Sequence, residues 1–258
     1  MKREFKPLAA LLTLAISANG VFAQGKPEDT EVWEPIPKIV TPGKTPADAP
    51  SDAIVLFNGR DLSQWESVKN PGQPAGWTIQ DGVLTVNKSK GNIQTRQKFL
   101  DYQLHIEWRI PAVINGSGQS RGNSGLFLAS TGGGDNGYEL QILDSYNNKT
   151  YVNGQAASIY KQTPPLVNAM RPPGEWQTYD VIWTAPRFNE DGSLKSPARV
   201  TVFHNGVLVQ NNTVLEGPTK YIGKPSYDKP HGPSSIKLQD HGDPSEPISF
   251  RNIWIREL

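Results

Sequence analysis

From Ala53 to the C-terminus the chain is a succession of short apolar runs, each stopped by a turn signal, and no stretch carries a helical stripe of useful length. "WTIQDGVLTV" reverses at Asp81-Gly82, and "VTVFHNGVLVQ" reverses at Asn205-Gly206. These dipeptides supply the positive φ angles that tight hairpin turns require. "YQLHIEWRI" alternates cleanly, with Tyr102, Leu104, Ile106, Trp108 and Ile110 on one face and Gln103, His105, Glu107 and Arg109 on the other. With 24 glycines and 22 prolines to make the connections, the pattern predicts an all-β chain. Its expected form is a two-sheet antiparallel β-sandwich with long loops. In the last strand, "ISFRNIWIREL", Phe250 and Ile253 have opposite parity yet both read as core. A β-bulge at Arg251-Asn252 reconciles them.

The start of the chain reads differently. Lys2, Arg3 and Lys6 precede an apolar run from Leu8 to Ile16, and Val21 and Ala23 stand before a cleavage point. Residues 1–23 therefore read as a signal peptide cut between Ala23 and Gln24, too short in its apolar part to span a bilayer. The expectation is an exported protein, periplasmic or secreted, with no membrane partner once the signal is removed. Residues 24–52 read as a Pro-rich leader. Within it Val32, Trp33, Ile36, Ile39 and Val40 either pack on the domain or are sticky residues of a linker. Residues 53–258 read as one sandwich domain.

Composition removes several functions. No cysteine is present, which excludes disulfides, thiolate metal sites and a cysteine nucleophile. The formal net charge of +1 gives no field for collecting nucleic acid, so nucleic acid is not an expected partner. No spacing marks a metal site, and no cofactor is expected with confidence. A divalent cation such as calcium, held by loop carboxylates and carbonyls, stays open, with no ligands to name.

The segments "LFNGRDLSQWES", "GWTIQDGVLTV", "NSGLFLAS", "YELQILD", "EWQTYDVIWTAPRF", "VTVFHNGVLVQ" and "IKLQDHGDPSEPISFRNIWIREL" occur in this order between Ala53 and Leu258. This ordered set resembles the 3-keto-disaccharide hydrolase domain family. The resemblance implies a concanavalin A-like jelly-roll sandwich with one concave sheet. It also implies an exported enzyme that cleaves glycosides whose ring is oxidised to a ketone at carbon 3.

The stretch "YELQILD" is the natural place for a site. Glu139 and Gln141 share a face in a flat strand, and Asp144 falls on the other. One bulge after Gln141 would return Asp144 to the face of Glu139. Glucanases of this fold are similar, with an acid–x–acid–x–x–acid strand on the concave sheet. Here Gln replaces the middle acid and Asp the last. A retaining glycosidase needs two carboxyl groups roughly 5–5.5 Å apart, so this departure weakens that mechanism. The alternative for Glu139 and Gln141 is simple solvation of an exposed sheet face.

Further along, "KLQDHGDPSEP" offers Lys237 and Gln239 on the polar face of a strand, with His241 at its end. A histidine there suits general acid–base work, because its ordinary pKa is near 6.5. "SRGNSGLFLAS" supplies Arg121 and Asn123 at a strand entrance, and "NGQAASIYKQTPP" places Tyr160 and Lys161 in a loop that covers the site. "TGGGDNG", residues 131–137, reads as a flexible loop. The expected roles are proton transfer by Glu139 and His241, and orientation by Asp144. Substrate contact falls to Gln141, Arg121, Asn123, Lys161, Tyr160, Lys237, Gln239 and Arg251. The substrate class is a 3-keto-glycoside. The alternatives are a non-catalytic carbohydrate-binding module and an endo-glucanase-like retaining glycosidase.

Overall fold

A computed structural model describes residues 25–258, so the expected signal peptide and its cleavage point lie outside the described residues. The chain divides between Ile39 and Val40. In the first unit a 3-10 turn spans Pro27–Thr30, and Val32, Trp33, Ile36 and Ile39 are all exposed. The second unit starts at Val40, earlier than the Ala53 boundary read from sequence. Ser51 N–H donates to Thr41 O at 3.0 Å. The Ala47 carbonyl accepts from Asn252 Nδ2 at 2.8 Å and from Trp254 Nε1 at 2.9 Å. Backbone carbonyls make these attachments, so a Pro-rich composition gives no sign of them. Among the described residues no helix is long and apolar enough to cross a membrane.

The second unit is a two-sheet antiparallel sandwich, as expected. Its strands are β1 (Ile54–Phe57), β2 (Trp65–Ser67), β3 (Thr78–Gln80), β4 (Val83–Thr85), β5 (Ile93–Thr95), β6 (Tyr102–Arg109), β7 (Asn123–Ser130) and β8 (Gly137–Leu143). The remainder are β9 (Trp176–Thr184), β10 (Arg187–Phe188), β11 (Leu194–Ser196), β12 (Arg199–His204), β13 (Val207–Val214), β14 (Lys237–Leu238) and β15 (Ser249–Glu257). One sheet runs β13-β12-β9-β6-β15-β4-β3, with β1 also paired to β15; the other runs β2-β5-β14-β7-β8. Both expected hairpins form. Asp81 (φ 51°) and Gly82 (φ 77°) join β3 to β4, and Asn205 (φ 52°) and Gly206 (φ 78°) join β12 to β13. The paired positive φ values match the right-handed twist of the strands.

Alternating side chains from the two sheets meet in one core. Leu104, Ile106 and Trp108 of β6 pack with Leu126 and Leu128 of β7 and with Leu140 and Ile142 of β8. Two phenols tie the sheets together across it: Tyr102 Oη donates to Leu128 O at 2.6 Å and Tyr179 Oη to Gln141 O at 2.7 Å. Buried hydroxyls need such partners. The bulge expected in β15 is present. The register with β6 shifts between Arg251 and Trp254, Asn252 takes φ 45°, and Phe250 and Ile253 are both buried.

That bulge sends Arg251 away from the smaller sheet. Arg251 Nε donates to Glu107 Oε2 at 2.6 Å, and its guanidinium lies 4.1 Å over the Trp176 ring. Asn252 Nδ2 meets Glu107 Oε1 at 2.9 Å. Beside them His105 Nδ1 contacts Asp180 Oδ1 at 2.6 Å. Burial disfavours the charged form of His105, but its bond to Asp180 and the Glu107 carboxylate 3.7 Å from its Nε2 prevail and raise its pKa to about 9. Arg251 is thus part of an ionic cluster on the outer face of the larger sheet, and the expectation that it contacts substrate is corrected.

Candidate active site

Strand β8 is at the edge of the smaller sheet, paired with β7 on one side only. Its free edge is covered by two loops. Glu139 N–H donates to Thr219 Oγ1 at 3.1 Å. Tyr160 N–H reaches Glu139 O at 3.1 Å, and Gln141 N–H reaches Ser158 O at 3.0 Å. Tyr138, Leu140 and Ile142 enter the core, which directs Glu139 and Gln141 to the opposite face. There the covering loops leave Glu139 only 6 % and Gln141 only 1 % exposed. They do not solvate an open sheet.

Above this face lies a pocket of about 240 Å³, lined by Glu139, Gln141, Asn123, Tyr160, Gln239 and His241, together with Asp135, Thr219 and Tyr221. Side chains of β7, β8 and the segment after β14 converge here, with loops contributing the walls. Beneath two of these side chains lies Gly125 of β7. A Cβ there would lie 2.7 Å from Glu139 Oε1 and 3.2 Å from Gln239 Oε1. Only a glycine lets these two side chains approach over the strand.

The site's electrostatics are distinctive. The Glu139 carboxyl makes no side-chain hydrogen bond among the described residues. Burial raises its pKa from 4.5 to about 8, helped by the negative charge of Asp135 and opposed by Lys237. At neutral pH it carries a proton. His241 stands at the rim, where partial desolvation holds its pKa below 6.5 against the pull of Asp243, Asp135 and Asp240. At neutral pH its imidazole is uncharged. Asn123 Nδ2 donates to Gln119 O at 2.8 Å and faces His241 Nε2 at 3.2 Å, which makes Nε2 the acceptor nitrogen of the ring. Asn123 is itself fixed by Asp243, whose Oδ2 accepts the Asn123 N–H at 2.5 Å. Asn123 Oδ1 and Gln239 Oε1 are buried without a partner. Buried acceptors are ordinarily satisfied, so an unpaired couple in a pocket marks a place for donors from a ligand or water. Gln141 Nε2 is committed to Gln119 Oε1 at 3.0 Å.

Asp144 is not in this pocket. The register of β7 and β8 is regular from Asn123↔Leu143 to Phe127↔Glu139, so the bulge expected after Gln141 does not exist. Asp144 is fully buried and accepts from Arg121 Nε at 2.5 Å. It does orient a basic neighbour, and that neighbour, Arg121, is held with it outside the pocket lining. Neither has the expected contact with the Glu139 face.

Lys237 and Lys161 are also displaced from direct contact. Lys237 has the face expected of it but is fully buried. Its Nζ donates to Gly134 O at 2.7 Å, Asn136 O at 2.8 Å and Gly132 O at 3.2 Å. The ammonium thus spends its three hydrogens on the glycine loop, which is tethered where the sequence suggests flexibility. Burial lowers the Lys237 pKa to about 8, against Asp135 and Glu139, which raise it. Lys161 Nζ donates to Tyr221 O at 2.9 Å and lies 4.1 Å over the Tyr221 ring. Both lysines position pocket walls.

Sequence reasoning missed Asp135, Thr219 and Tyr221. All three sit on loops whose placement comes from distant contacts: Asn92 Nδ2 holds Asp135 Oδ1 at 2.8 Å, and Thr219 N–H is bonded to Gly137 O at 2.8 Å. Among the described residues no group of three His, Asp or Glu side chains gathers to hold a metal ion.

Comparison with known proteins agrees with this architecture. A crystal structure of a candidate glycosyl hydrolase from Parabacteroides distasonis is 58% identical, with a TM-score of 0.84 over 92% of this chain and 98% of that one. A second from the same organism is 20% identical with a TM-score of 0.55, covering 80% of this chain and 94% of that one, and shares the fold. A Bacteroides thetaiotaomicron protein described as a 3-keto-disaccharide hydrolase is 25% identical over the full length of both chains. The model of the 3-keto-alpha-glucoside-1,2-lyase-like domain matches residues 52–256. With that match running through nearly the whole sandwich, the chain belongs to the 3-keto-alpha-glucoside-1,2-lyase-like domain family.

Proposed function

We propose that this protein cleaves glycosides whose sugar ring carries a ketone at carbon 3, by elimination followed by hydration. The observation that carries the reading is the pairing of an acid that keeps its proton to about pH 8 with an uncharged imidazole, both lining one pocket. A 3-ketone acidifies the hydrogen on carbon 2 and makes the bond at carbon 1 labile. His241 Nε2 takes the carbon-2 proton once the bound substrate has displaced the Asn123 amide from its lone pair, and the electron pair moves into the carbon-3 carbonyl as an enolate. The enolate then expels the leaving oxygen from carbon 1, and Glu139 protonates that oxygen. Water adds at carbon 1 of the enone with the two groups in exchanged roles, giving net hydrolysis. General acids and bases of this kind contribute about 10²–10⁴-fold each.

The other pocket groups suit a sugar. Asn123 Oδ1 and Gln239 Oε1 accept from ring hydroxyls, and the phenol of Tyr160, which shares a 2.6 Å hydrogen bond with the Tyr151 hydroxyl, donates when Tyr151 supplies the proton of that pair. Burial raises the Tyr160 pKa well beyond the usual phenol range, so it keeps its proton. The enolate draws on such preorganised donors. A retaining glycosidase would want Asp144 beside Glu139, and Asp144 is bound to Arg121 instead.

The decisive experiment is a product assay on 3-keto-trehalose and a simple 3-keto-glucoside, with and without chelator. Release of free aglycone supports the reading. Tight binding of intact glycans without product would leave a carbohydrate-binding module, and loss of activity with chelator would add a divalent cation to the site. For export, we propose processing after Ala23; amino-terminal sequencing of the periplasmic or secreted protein should begin at Gln24.

A further inference from the structure

The pocket over Glu139 is smaller than the roughly 300–1,000 Å³ of sites that enclose drug-sized ligands. At about 240 Å³ it accommodates the oxidised ring and leaves little room for what is attached to it. A second cavity, of about 450 Å³, shares Thr219 with the first. The same two loops border both: Asp135 and Tyr221 line the first, and their neighbours Asn136 and Lys220 line the second. Its far wall comes from Ser226, Asp228 and Lys229.

The lining has a definite chemistry. Lys220 Nζ donates to Ser226 Oγ at 2.6 Å and to Asp228 Oδ2 at 3.0 Å, a fixed frame of donors and acceptors. Lys229 makes no ion pair among the described residues. His231 is the one aromatic ring in the lining, and it is engaged with Tyr138 and Phe188; Pro218 and Pro230 add apolar surface. A ring carrying many hydroxyls finds hydrogen-bond partners on several sides.

Resting on the function proposed above, we infer that this second cavity is the leaving-group subsite, and that it selects a polyhydroxylated leaving group over a small alkyl one. Thr219 is the boundary across which the scissile bond lies. Its backbone pairing with Gly137 and its hydroxyl contact with Glu139 N–H fix that boundary to the strand that carries the proton donor.

The test compares kcat/KM for 3-keto-trehalose and for methyl 3-keto-glucoside in the full-length mature protein. The wild type should prefer the disaccharide by about tenfold or more, the worth of one or two hydrogen bonds. Asp228→Trp, from a side chain 64% exposed, places a ring across the cavity without touching the core. Lys220→Ala dismantles the frame. Each should lower the ratio of the two kcat/KM values at least about fivefold, with thermal melting confirming that each variant folds. An unchanged ratio in both variants, or no preference in the wild type, overturns the subsite while the cleavage reading stands. A wild type that cleaves neither substrate overturns both.

Discussion

Replacing Glu139 with glutamine should make the protein more stable at neutral pH while removing its activity. The two side chains have nearly the same shape, so the comparison isolates ionisation. In the unfolded chain Glu139 loses its proton near 4.5, whereas the folded protein holds it to about 8. Between those values the folded state binds one proton more than the unfolded state, so stability falls as pH rises through the window. With each pH unit worth about 1.4 kcal/mol, the wild type gives up about 3 kcal/mol at pH 7 and next to nothing at pH 4. Glutamine does not titrate and keeps that stability. Urea unfolding of both proteins at pH 4, 5, 6 and 7 measures the difference directly. His105 titrates in both proteins and cancels from the comparison. The expected result is a difference near zero at pH 4 that grows steadily to about 3 kcal/mol at pH 7 in favour of Glu139→Gln. A difference that does not change with pH would mean that Glu139 ionises as an ordinary surface acid. It would then be a carboxylate at neutral pH and no proton donor to a leaving oxygen.

Three other outcomes follow from the same geometry. The pH profile of kcat/KM should be bell-shaped, rising as His241 loses its proton below pH 6.5 and falling near pH 8 as Glu139 loses its own; His241→Ala should lower kcat by about 10²–10⁴-fold and abolish the acidic limb, and an intact acidic limb in that variant would assign the base elsewhere. Gly125→Ala drives a methyl to within 2.7 Å of Glu139 Oε1, so kcat should fall by about tenfold or more, out of proportion to any stability lost on a small-to-large change; wild-type kinetics would show that the Glu139 side chain can shift without loss. Lys237→Met removes three hydrogen bonds to the glycine loop and the cation that restrains Glu139, so proteases should cut within 131–136 and the alkaline limb should move upward; an unmoved limb would separate Lys237 from the electrostatics of the site.

Much of the scaffold was legible because alternation and turn chemistry act locally. Asp81-Gly82 and Asn205-Gly206 specify their hairpins whatever surrounds them, and the parity conflict of Phe250 and Ile253 has one economical resolution, the bulge at Asn252. The shared face of Glu139 and Gln141 followed from strand geometry alone. Asp144 resisted that treatment, since the extra residue that would turn it inward is absent and its real partner, Arg121, comes from a loop before the neighbouring strand. The alternation places Lys237 on the polar face, but nothing in the pattern announces that the six-residue loop 131–136 folds over it and takes all its hydrogens. Arg251 was drawn to the site by its nearness in sequence to His241, although the chain crosses to the other sheet between them. Asp135, Thr219 and Tyr221 reach the pocket through long-range contacts, which single-strand periodicity does not encode.

The clamp of Lys237 on three alternate carbonyl groups, those of Gly132, Gly134 and Asn136, has a bearing on how molecules get in and out. One bank of the pocket is moored from beneath and is unsuited to swinging. The opposite bank is coil, where the Lys161 ammonium lies over the rings of Tyr221 and Tyr151, the Tyr151 and Tyr160 hydroxyls share a 2.6 Å hydrogen bond, and Tyr221 is 71% exposed. Entry to the hollow is therefore expected from the tyrosine side, across side chains held to one another by a shared cation and a hydroxyl pair and not by strand pairing.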